Sequence, residues 1–369
     1  MSMDTEMEDD LSSLLIHSLQ WNYEVEFFTD VHSAAEAALA TEDVFFVCDE
    51  NVARQYSEQL APLMAGHPTY VVAANEETKS LSGVGLLVNW LIENRAIRTA
   101  TIVAIGGGCI QDLVSFTAHV YYRGISWVFL PTTVLSQSDS CIGAKSGINV
   151  LPYKNQLGVL HSPRRVIIIS EFLDSLPEIE VASGYGEIVK LAVTSSRHFL
   201  GVLERSLEEC GIRGGHILPL TRASLAAKQE IIEEDEYESD LRRVLNYGHS
   251  FGHALESIAG HQVPHGLAVL WGIDIINWLG VRWGITSPAI AERLSCLIRK
   301  HFDYSLPLDP TPDLLVDMVA RDKKAANGLM YFVVLVDEGE FQIVPKPLDD
   351  DLRALVAQYL ETDYVFRRT

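Results

Sequence analysis

Three histidines in the middle of the chain have the spacing of a metal site. His249 and His253 are four residues apart, so in a helix they share one face. His265 follows Pro264, where a new helix can begin. Neutral imidazoles bind zinc, and a carboxylate or water would complete the coordination. Taken alone, an HxxxH pair is more often a surface or core feature, so the surrounding motifs must decide.

A glutamate upstream is the best candidate for the missing carboxylate ligand. Glu187 and Lys190 are three residues apart and share a helix face, which would otherwise indicate a surface ion pair. Further polar residues recur at spacings that could surround one pocket: Lys228, Glu238, Arg242, Asn246 and His253. The acidic run 233–236 is interpreted as a solvated face.

A glycine turn in the first half of the chain is typical of a nucleotide site. Residues 101–112 read as a strand, then Gly106, Gly107 and Gly108, then a helix. Glycines there allow close approach of a pyrophosphate to the N–H groups of the helix N-terminus. The segment is not GxGxxG, so it does not predict an ordinary Rossmann fold, and a glycine turn without a ligand is the alternative.

Basic and amide side chains follow in a predicted loop region. Arg123 precedes a strand that ends near Thr132 and Thr133, and Asp139, Lys145, Lys154 and Asn155 come next. Lysine supplies a point charge and asparagine a neutral donor, so this group favours binding of a phosphate or phosphorylated polyol. A solvated loop is the alternative.

Composition excludes several classes of partner. The chain has 369 residues and a formal net charge of −22, which argues against nucleic acid and anionic membranes as partners. No apolar run reaches membrane-spanning length, and the acidic N-terminus does not resemble a signal peptide. Five scattered cysteines without a CxxC pair favour free thiols and a cytoplasmic location.

The pattern of elements predicts two domains. Residues 1–170 alternate strands with helices, which indicates an α/β domain with a largely parallel sheet, and residues 1–20 are expected to be a flexible acidic lead-in. Residues 171–369 read as a mostly α-helical domain with one late hairpin around Asp337. The predicted strands are 23–29, 44–48, 70–73, 101–105, 127–130 and 166–169. The predicted helices of the second domain are 173–196, 216–235, 241–259, 267–283 and 288–301.

Taken together, the motifs resemble the 3-dehydroquinate synthase family of sugar phosphate cyclases. The resemblance runs from Asp49 to Leu335 in order and spacing. The motifs that carry it are GGGCIQD, YYRG, PTTVLSQSDSCIGAKSGIN, KNQLG, GEIVK, NYGHSFGHALE and HG, which are specific jointly but not singly. The resemblance implies an NAD-binding α/β domain and a helical metal-binding domain that close over the substrate, in an enzyme that is typically a homodimer.

The resemblance also implies roles for individual residues. It makes Glu187, His249 and His265 the zinc ligands and leaves His253 for the substrate, so the HxxxH pair would not chelate jointly. Residues that fall on catalytic or substrate positions are Asp139, Lys145, Asn155, Lys190, Lys228, Glu238, Arg242, Asn246 and His253, with Arg123 reaching into the partner subunit's site. Residues that fall on cofactor positions are Asp49, Glu76, Lys79, Gly106, Gly107, Gly108, Asp112, Thr132, Thr133 and Lys154; Asp112 also borders the family's substrate pocket.

The chemistry implied is a phosphate elimination without net redox. Zinc, with cobalt as an alternative, polarises a hydroxyl of the substrate. NAD takes a hydride from the carbon that bears this hydroxyl, which leaves a ketone. The acidified C–H then allows phosphate to leave, with the phosphate as its own base. Return of the hydride, ring opening and an intramolecular aldol close the carbocycle.

The substrate is inferred from the carboxylate grip of the family. Arg242 and Lys228 are both present where that grip belongs, which favours 3-deoxy-arabino-heptulosonate 7-phosphate, a phosphorylated sugar acid of the shikimate pathway. Gln111, Ala144 and Leu267 depart from the usual pattern of 3-dehydroquinate synthases. Alanine at position 144 resembles the sequence of the sedoheptulose cyclases. The alternatives are a cyclase of aminodehydroquinate, sedoheptulose 7-phosphate or glucose 6-phosphate type, a metal-dependent alcohol or glycerol dehydrogenase, and an inactive binding homologue.

Overall fold

The chain divides into two compact units, Met1–Pro177 and Glu178–Thr369. The structure is a computed structural model. It describes residues 12–38, 43–150, 153–195, 197–214, 216–260, 262–307, 309–321, 325–326, 328–362 and 366.

The first unit is built on a seven-stranded sheet whose strands are mostly short apolar runs. In chain order the strands are β1 Leu14–Ile16, β2 Tyr23–Phe28, β3 Val44–Asp49, β4 Thr69–Val72, β5 Thr101–Gly106, β6 Ser126–Pro131 and β9 Arg165–Ile169. Their spatial order is β1-β2-β9-β6-β5-β3-β4, and every neighbouring pair is parallel except β1 with β2. All residues of β3 and β5 are buried, as expected for central strands covered on both faces.

Helices connect these strands and supply the rest of the core. They are α1 Val31–Ala38, α2 Glu50–Gln55, α3 Ser57–Met64, α4 Leu81–Glu93 and α5 Gly108–Val120. One buried cluster joins α2 and α3 to β3, β5 and β9 through side chains such as Val52, Leu60 and Phe46. The predicted α/β fold with a largely parallel sheet is therefore confirmed.

Two predictions for the first unit need correction. Residues 1–20 were expected to be flexible, but Leu14–Ile16 pair with β2 because Leu14 and Ile16 bury alternate side chains; residues 1–11 lie outside the described part. The polar stretch expected to be a loop is an antiparallel hairpin of β7 (Lys145–Val150) and β8 (Tyr153–Leu160).

The first unit ends at Pro177, whereas the sequence placed the boundary near residue 170. After β9 the chain makes a 3₁₀ turn, Ser170–Leu173, instead of starting the predicted helix at residue 173. Phe172 is buried in the core of the first unit, and the Tyr56 hydroxyl donates to the Glu171 carbonyl at 2.7 Å. These contacts hold the turn in the first unit.

The second unit is mostly helical, as predicted. Its helices are α6 Glu178–Thr194, α7 Arg197–Cys210, α8 Ile217–Glu234, α9 His249–Ile258, α10 His265–Arg282, α11 Pro288–His301, α12 Pro312–Val319 and α13 Asp350–Glu361. A small antiparallel sheet joins β10 (Ala325–Ala326), β11 (Leu329–Asp337) and β12 (Glu340–Pro347), so the predicted late hairpin is present. No helix in the described residues is long and apolar enough to cross a membrane.

The single helix predicted over residues 241–259 is wrong. Leu241–Asn246 is a 3₁₀ helix, and α9 starts only at His249 because Gly248 has a φ of 77°. A Cβ at Gly248 would lie 2.8 Å from the Val269 carbonyl oxygen, so glycine allows α9 to pack tightly on α10. This break places His249 on the first turn of α9.

Candidate functional site

In the first unit, three neighbouring parallel strands end at the predicted cofactor residues. Asp49 ends β3, Gly106 ends β5, and Thr132 and Thr133 follow β6. The Thr132 N–H donates to the Gly106 carbonyl at 3.0 Å, which joins the ends of β5 and β6. Parallel sheets bind ligands at this carboxyl edge, and α5 starts here with Gly107 as its N-cap. The edge therefore has the backbone geometry of a pyrophosphate site.

Next to α5 lies a group of paired charges that we call the lysine–acid cluster: Glu76, Lys79, Asp112, Asn149 and Lys154. Lys79 Nζ is 2.6 Å from Asp112 Oδ2, and Lys154 Nζ is 2.7 Å from Glu76 Oε1. Burial alone would lower the pKa of Lys79, but Asp112 outweighs it and raises that pKa. The chain thus neutralises these charges pairwise.

Asn149 joins the two halves of this cluster. Its buried amide donates to Glu76 Oε2 at 2.6 Å and to the Glu76 carbonyl at 3.0 Å, while its oxygen accepts from the Asn155 N–H at 2.9 Å. Asp112 also accepts from the Gly147 N–H at 3.0 Å. The hairpin that carries Lys145 and Asn155 is therefore tied to the predicted cofactor residues.

The hairpin and its surroundings contain backbone strain. Asn155 has a φ of 51° and Ala144, just before Lys145, has a φ of 60°. Left-handed conformations of non-glycine residues are costly and tend to occur at functional sites. The exposed Arg123 and Tyr122 also have positive φ values, 64° and 50°.

Asp139 lies on a short π-helical turn, Ser136–Ser140, which was not predicted. Gln111, one of the departures from the family pattern, holds this turn by two hydrogen bonds with Ser140, both 2.6 Å. π-Helical turns are uncommon and often occur at functional sites.

In the second unit, the close approach of α6 and α10 brings Glu187 next to His265. A Cβ at Gly186 would lie 2.1 Å from the Gly266 carbonyl oxygen, and one at Gly266 would lie 1.7 Å from the Ser183 carbonyl oxygen. Only glycine permits this backbone contact. The glycines next to Glu187 and His265 in the sequence therefore explain how these two predicted ligands come together.

The three predicted ligands, Glu187, His249 and His265, lie together with His253 and Glu256, and we call these five residues the histidine cluster. Glu187 Oε1 lies 3.3 Å from His265 Nε2 and 3.6 Å from His249 Nε2. Glu187 is also in contact with Lys190, and both side chains are at most 3% exposed. The three imidazoles converge, with ligand nitrogens within 4.8 Å of one another.

The longer of the two distances from Glu187 suits a shared metal ion better than a direct hydrogen bond. At 3.6 Å there is no hydrogen bond. Ligands at zinc bond lengths of about 2.0–2.2 Å in a tetrahedron are about 3.3–3.6 Å apart, which matches the separations from Glu187 to both histidines. The geometry is compatible with the predicted set Glu187, His249 and His265; the exposed His253, one turn further along α9, has a ring nitrogen within 4.8 Å of those of both other histidines.

The electrostatics of the cluster also favour a cation. Burial lowers the pKa of His265, but hydrogen bonds with Glu187 and Glu256 and their charges outweigh burial and raise it to about 9. With no metal cation bound, the His265 ring is therefore protonated on both nitrogens at neutral pH, with one nitrogen facing Glu187 and the other facing Glu256. A divalent cation would take the place of that proton.

The remaining predicted residues of the second unit lie on α8 and on the segment before α9. Asn246 donates to the Glu238 carboxylate, and Arg242 donates to the Glu236 carbonyl. Lys228 and Arg242 are both buried, which is unusual for such side chains. Glu238 has a φ of 60°.

Asp235 organises this segment, although the sequence placed it on a solvated face. It is buried and accepts hydrogen bonds from the N–H groups of Ser239, Asp240 and Arg242 at 2.8–3.0 Å. The bond from Asp240, with those from Ser239 and Arg242, holds the pKa of Asp235 well below its usual range. Aspartate commonly accepts hydrogen bonds from the backbone of a turn that follows it, so Asp235 before Ser239 and Asp240 was a weak sequence signal for this role.

Models of one family match both units. The description "3-dehydroquinate synthase N-terminal" matches residues 69–183, and "3-dehydroquinate synthase C-terminal" matches residues 184–325. A 3-dehydroquinate synthase of Rhodospirillum rubrum is 38% identical over 312 residues, 79% of each chain. One of Pseudomonas entomophila is 35% identical over 335 residues, 87% of this chain and 91% of the relative.

Solved structures of sugar phosphate cyclases share the fold. A 2-epi-5-epi-valiolone synthase from Streptomyces hygroscopicus with NAD⁺ and Zn²⁺ bound has a TM-score of 0.80 and 28% identity, covering 95% of this chain and 98% of that one. A 2-deoxy-scyllo-inosose synthase complexed with carbaglucose-6-phosphate, NAD⁺ and Co²⁺ has a TM-score of 0.85 at 22% identity, covering 94% and 99%. With both family models and these relatives matched over most of its length, the chain belongs to the 3-dehydroquinate synthase family.

Proposed function

We propose that this protein is an NAD- and metal-dependent carbon–oxygen lyase that converts 3-deoxy-arabino-heptulosonate 7-phosphate into 3-dehydroquinate and phosphate. Its relatives at 32–38% identity are named 3-dehydroquinate synthases. The observation that carries the proposal is the spacing of Glu187, His249 and His265, which matches a tetrahedral zinc site.

Glu187, His249 and His265 would hold the divalent metal, and the carboxyl edge of the sheet in the first unit would hold NAD. When bound, NAD supplies reversible hydride transfer and the metal polarises the reacting hydroxyl. The nitrogen and oxygen donors favour zinc, with cobalt compatible.

The chain's own polar residues would bind and orient the substrate. Lys228 and Arg242, both buried, supply positive charge for the carboxylate. Lys145 and Asn155 on the hairpin supply donors for the phosphate. Asp139, Lys190, Glu238, Asn246 and His253 supply further hydrogen bonds and proton transfer.

The overall reaction balances without an external oxidant. One C–O bond to phosphate breaks and one C–C bond forms in the ring closure. The hydride taken from the substrate is returned to it, so the products are 3-dehydroquinate and phosphate only. This step would serve aromatic amino acid biosynthesis in the cytoplasm.

We also propose a homodimer in which Arg123 contacts the partner subunit's site. Support comes from the exposed turn Tyr122–Arg123, whose two positive φ values are costly unless a contact selects them. Light scattering after size-exclusion chromatography measures the mass directly, and a mass near the 41.0 kDa of one chain would contradict the dimer.

The decisive experiment measures phosphate release by zinc-loaded protein with NAD. Turnover of 3-deoxy-arabino-heptulosonate 7-phosphate is expected, with no turnover of sedoheptulose 7-phosphate or glucose 6-phosphate. Turnover of sedoheptulose 7-phosphate alone would mean that Ala144 and the other departures are the better guide to the substrate.

A dehydrogenase is the second candidate because solved structures of that class share the fold. A glycerol dehydrogenase from Schizosaccharomyces pombe has a TM-score of 0.59 at 16% identity, covering 91% of this chain and 89% of that one. Accumulation of free NADH with a simple alcohol, without phosphate release, would favour that candidate. An inactive homologue would release neither product.

A further inference from the structure

Glu256 lies beside a predicted metal ligand but has no role in the reaction proposed above. It is on α9, three residues after His253 and seven after His249, so all three share one helix face. Its Oε2 is 3.2 Å from His265 Nδ1, and its side chain is 18% exposed. The contact joins α9 to the first residue of α10.

This contact decides which nitrogen of His265 can bind a metal. An ionised carboxylate only accepts hydrogen bonds, so His265 Nδ1 must be the donor. In the neutral ring the lone pair is then on Nε2, the atom that lies 3.3 Å from Glu187 Oε1.

His249 is oriented in the same way by a weaker acceptor. Its Nδ1 is 3.1 Å from the Tyr247 carbonyl oxygen, so its Nε2 also carries the lone pair and is directed at Glu187. The two histidines differ in the charge of the group behind them. A carboxylate makes the opposite nitrogen a stronger electron donor than a neutral carbonyl does.

We propose that Glu256 is a positioning residue of the metal site, which fixes the tautomer and ring orientation of His265 and strengthens its bond to a divalent cation. The inference rests on the proposed metal-dependent function. Loss of such partners typically weakens metal binding by roughly 10- to 100-fold. We expect a loss in that range when Glu256 is removed.

The experiment compares the variants Glu256→Ala and Glu256→Gln with the wild type and with Glu292→Gln. Glu292 is an exposed helical glutamate of the same unit, outside the histidine cluster, so it controls for loss of charge alone. Metal-free proteins are titrated with Zn²⁺ against a chelator of known affinity. Co²⁺ titrations record the visible absorption bands, which report the ligand geometry.

We expect zinc affinity to fall in the order wild type, Glu256→Gln, Glu256→Ala. The Gln oxygen still accepts from Nδ1 but lacks the charge, so this variant should be intermediate, while Glu292→Gln should match the wild type. The Co²⁺ bands should shift in Glu256→Ala. Urea unfolding of the metal-free variants should match the wild type because Glu256 is partly exposed.

Three results would overturn the inference, and they are distinguishable. Equal zinc affinity and equal Co²⁺ spectra in the wild type and both Glu256 variants would overturn the role of Glu256 and leave the metal-dependent function unaffected. Weaker zinc binding accompanied by an equivalent loss of metal-free stability would show a purely structural role. A wild type that binds neither metal would overturn the metal-dependent function and this inference with it.

Discussion

The lysine–acid cluster of the first unit and the histidine cluster of the second unit balance their charges in different ways. In the lysine–acid cluster, Lys79 and Lys154 are each within 2.7 Å of an acid, and Asn149 uses both ends of its amide. In the histidine cluster, Glu187 faces two Nε2 atoms at 3.3 and 3.6 Å, which suits a shared central atom. Each lysine of the first cluster is paired with an acid, whereas Glu187 in the second is shared by Lys190 and two imidazoles, an arrangement that we propose holds a cation.

The largest expected effect removes a predicted ligand from the histidine cluster. His265→Ala should weaken zinc binding by more than about 100-fold, because loss of a ligand exceeds the loss of a supporting partner. Binding of NAD should be unchanged, since the predicted cofactor residues are in the other unit. Metal analysis of the purified variant and calorimetric titration with NAD measure the two effects, and full zinc content would contradict the ligand assignment.

The second prediction tests whether backbone contact between α6 and α10 builds the histidine cluster. Gly266→Ala should lower the free energy of unfolding by about 3 kcal/mol, because its Cβ would collide with the Ser183 carbonyl. Zinc affinity should fall as well, since Glu187 and His265 move apart.

The matched control is Gly201→Ala in α7, where the nearest atom to a new Cβ is a flexible arginine nitrogen at 3.8 Å. That variant should be neutral or more stable by roughly 0.5–1 kcal/mol, the usual gain of alanine over glycine in a helix. Similar urea unfolding curves for the two variants would show that the α6–α10 contact can adjust without cost.

Sequence patterns predicted the local elements of both units well. The six predicted strands of the first unit are present, and the apolar, β-branched runs of the central ones are buried in the sheet, while the edge strand β4 is partly exposed. The hairpin of β7 and β8 was missed because polar residues and glycines interrupt its apolar ones, and the hydrogen bonds that Gly147 and Asn149 make with Asp112 and Glu76 come from distant positions. Tertiary partners, not local propensity, decided its structure.

The candidate site shows the same contrast between what residue types predict and what tertiary partners decide. The types and spacing of His249, His253 and His265 indicated a metal site, but the ring directions of His249 and His265 depend on Tyr247 and Glu256. Asp235 was misassigned because its partners are backbone N–H groups that only the folded turn presents to it. Residue types were therefore readable from sequence, while the partners that orient them were not.

The third prediction concerns substrate binding in the second unit. Arg242→Ala should cost roughly 1.5–3 kcal/mol in the binding of a carboxylated substrate, the range for a hydrogen bond to a charged group. The loss should raise KM more than it lowers kcat. Steady-state phosphate release measures both constants, and unchanged kinetics would mean that Arg242 does not bind the carboxylate.

The fourth prediction tests whether the chain's own ion pairs and hydrogen bonds stabilise the lysine–acid cluster without a bound cation. Asn149→Ala should destabilise the first unit by roughly 1–3 kcal/mol, because the buried amide contacts with Glu76 and the Asn155 N–H are lost. Asn149→Asp should be at least as harmful, since it places a second carboxylate against Glu76. NAD affinity should fall in both.

Gln156→Ala, at an exposed position on the same hairpin, is the control for the Asn149 variants. Added zinc should stabilise the wild type and the Asn149 variants by the same amount, because zinc is proposed to bind the histidine cluster and not the lysine–acid cluster. A larger gain from zinc in the Asn149 variants than in the wild type would contradict the distinction between the two clusters.

The smallest expected effect concerns Ala144, which precedes Lys145 with a φ of 60°. Ala144→Gly should remove the cost of a left-handed alanine, which is about 1–2 kcal/mol. The greater chain entropy of glycine in the unfolded state should offset about 0.5–1 kcal/mol of this gain. The net gain in stability by urea unfolding should be roughly 0–1.5 kcal/mol. Because we assign the choice of substrate to Arg242 and Lys228 in the other unit, the preference for the carboxylated substrate over sedoheptulose 7-phosphate should not change. A shift in that preference would instead make Ala144 a determinant of specificity and the hairpin an active partner in substrate selection.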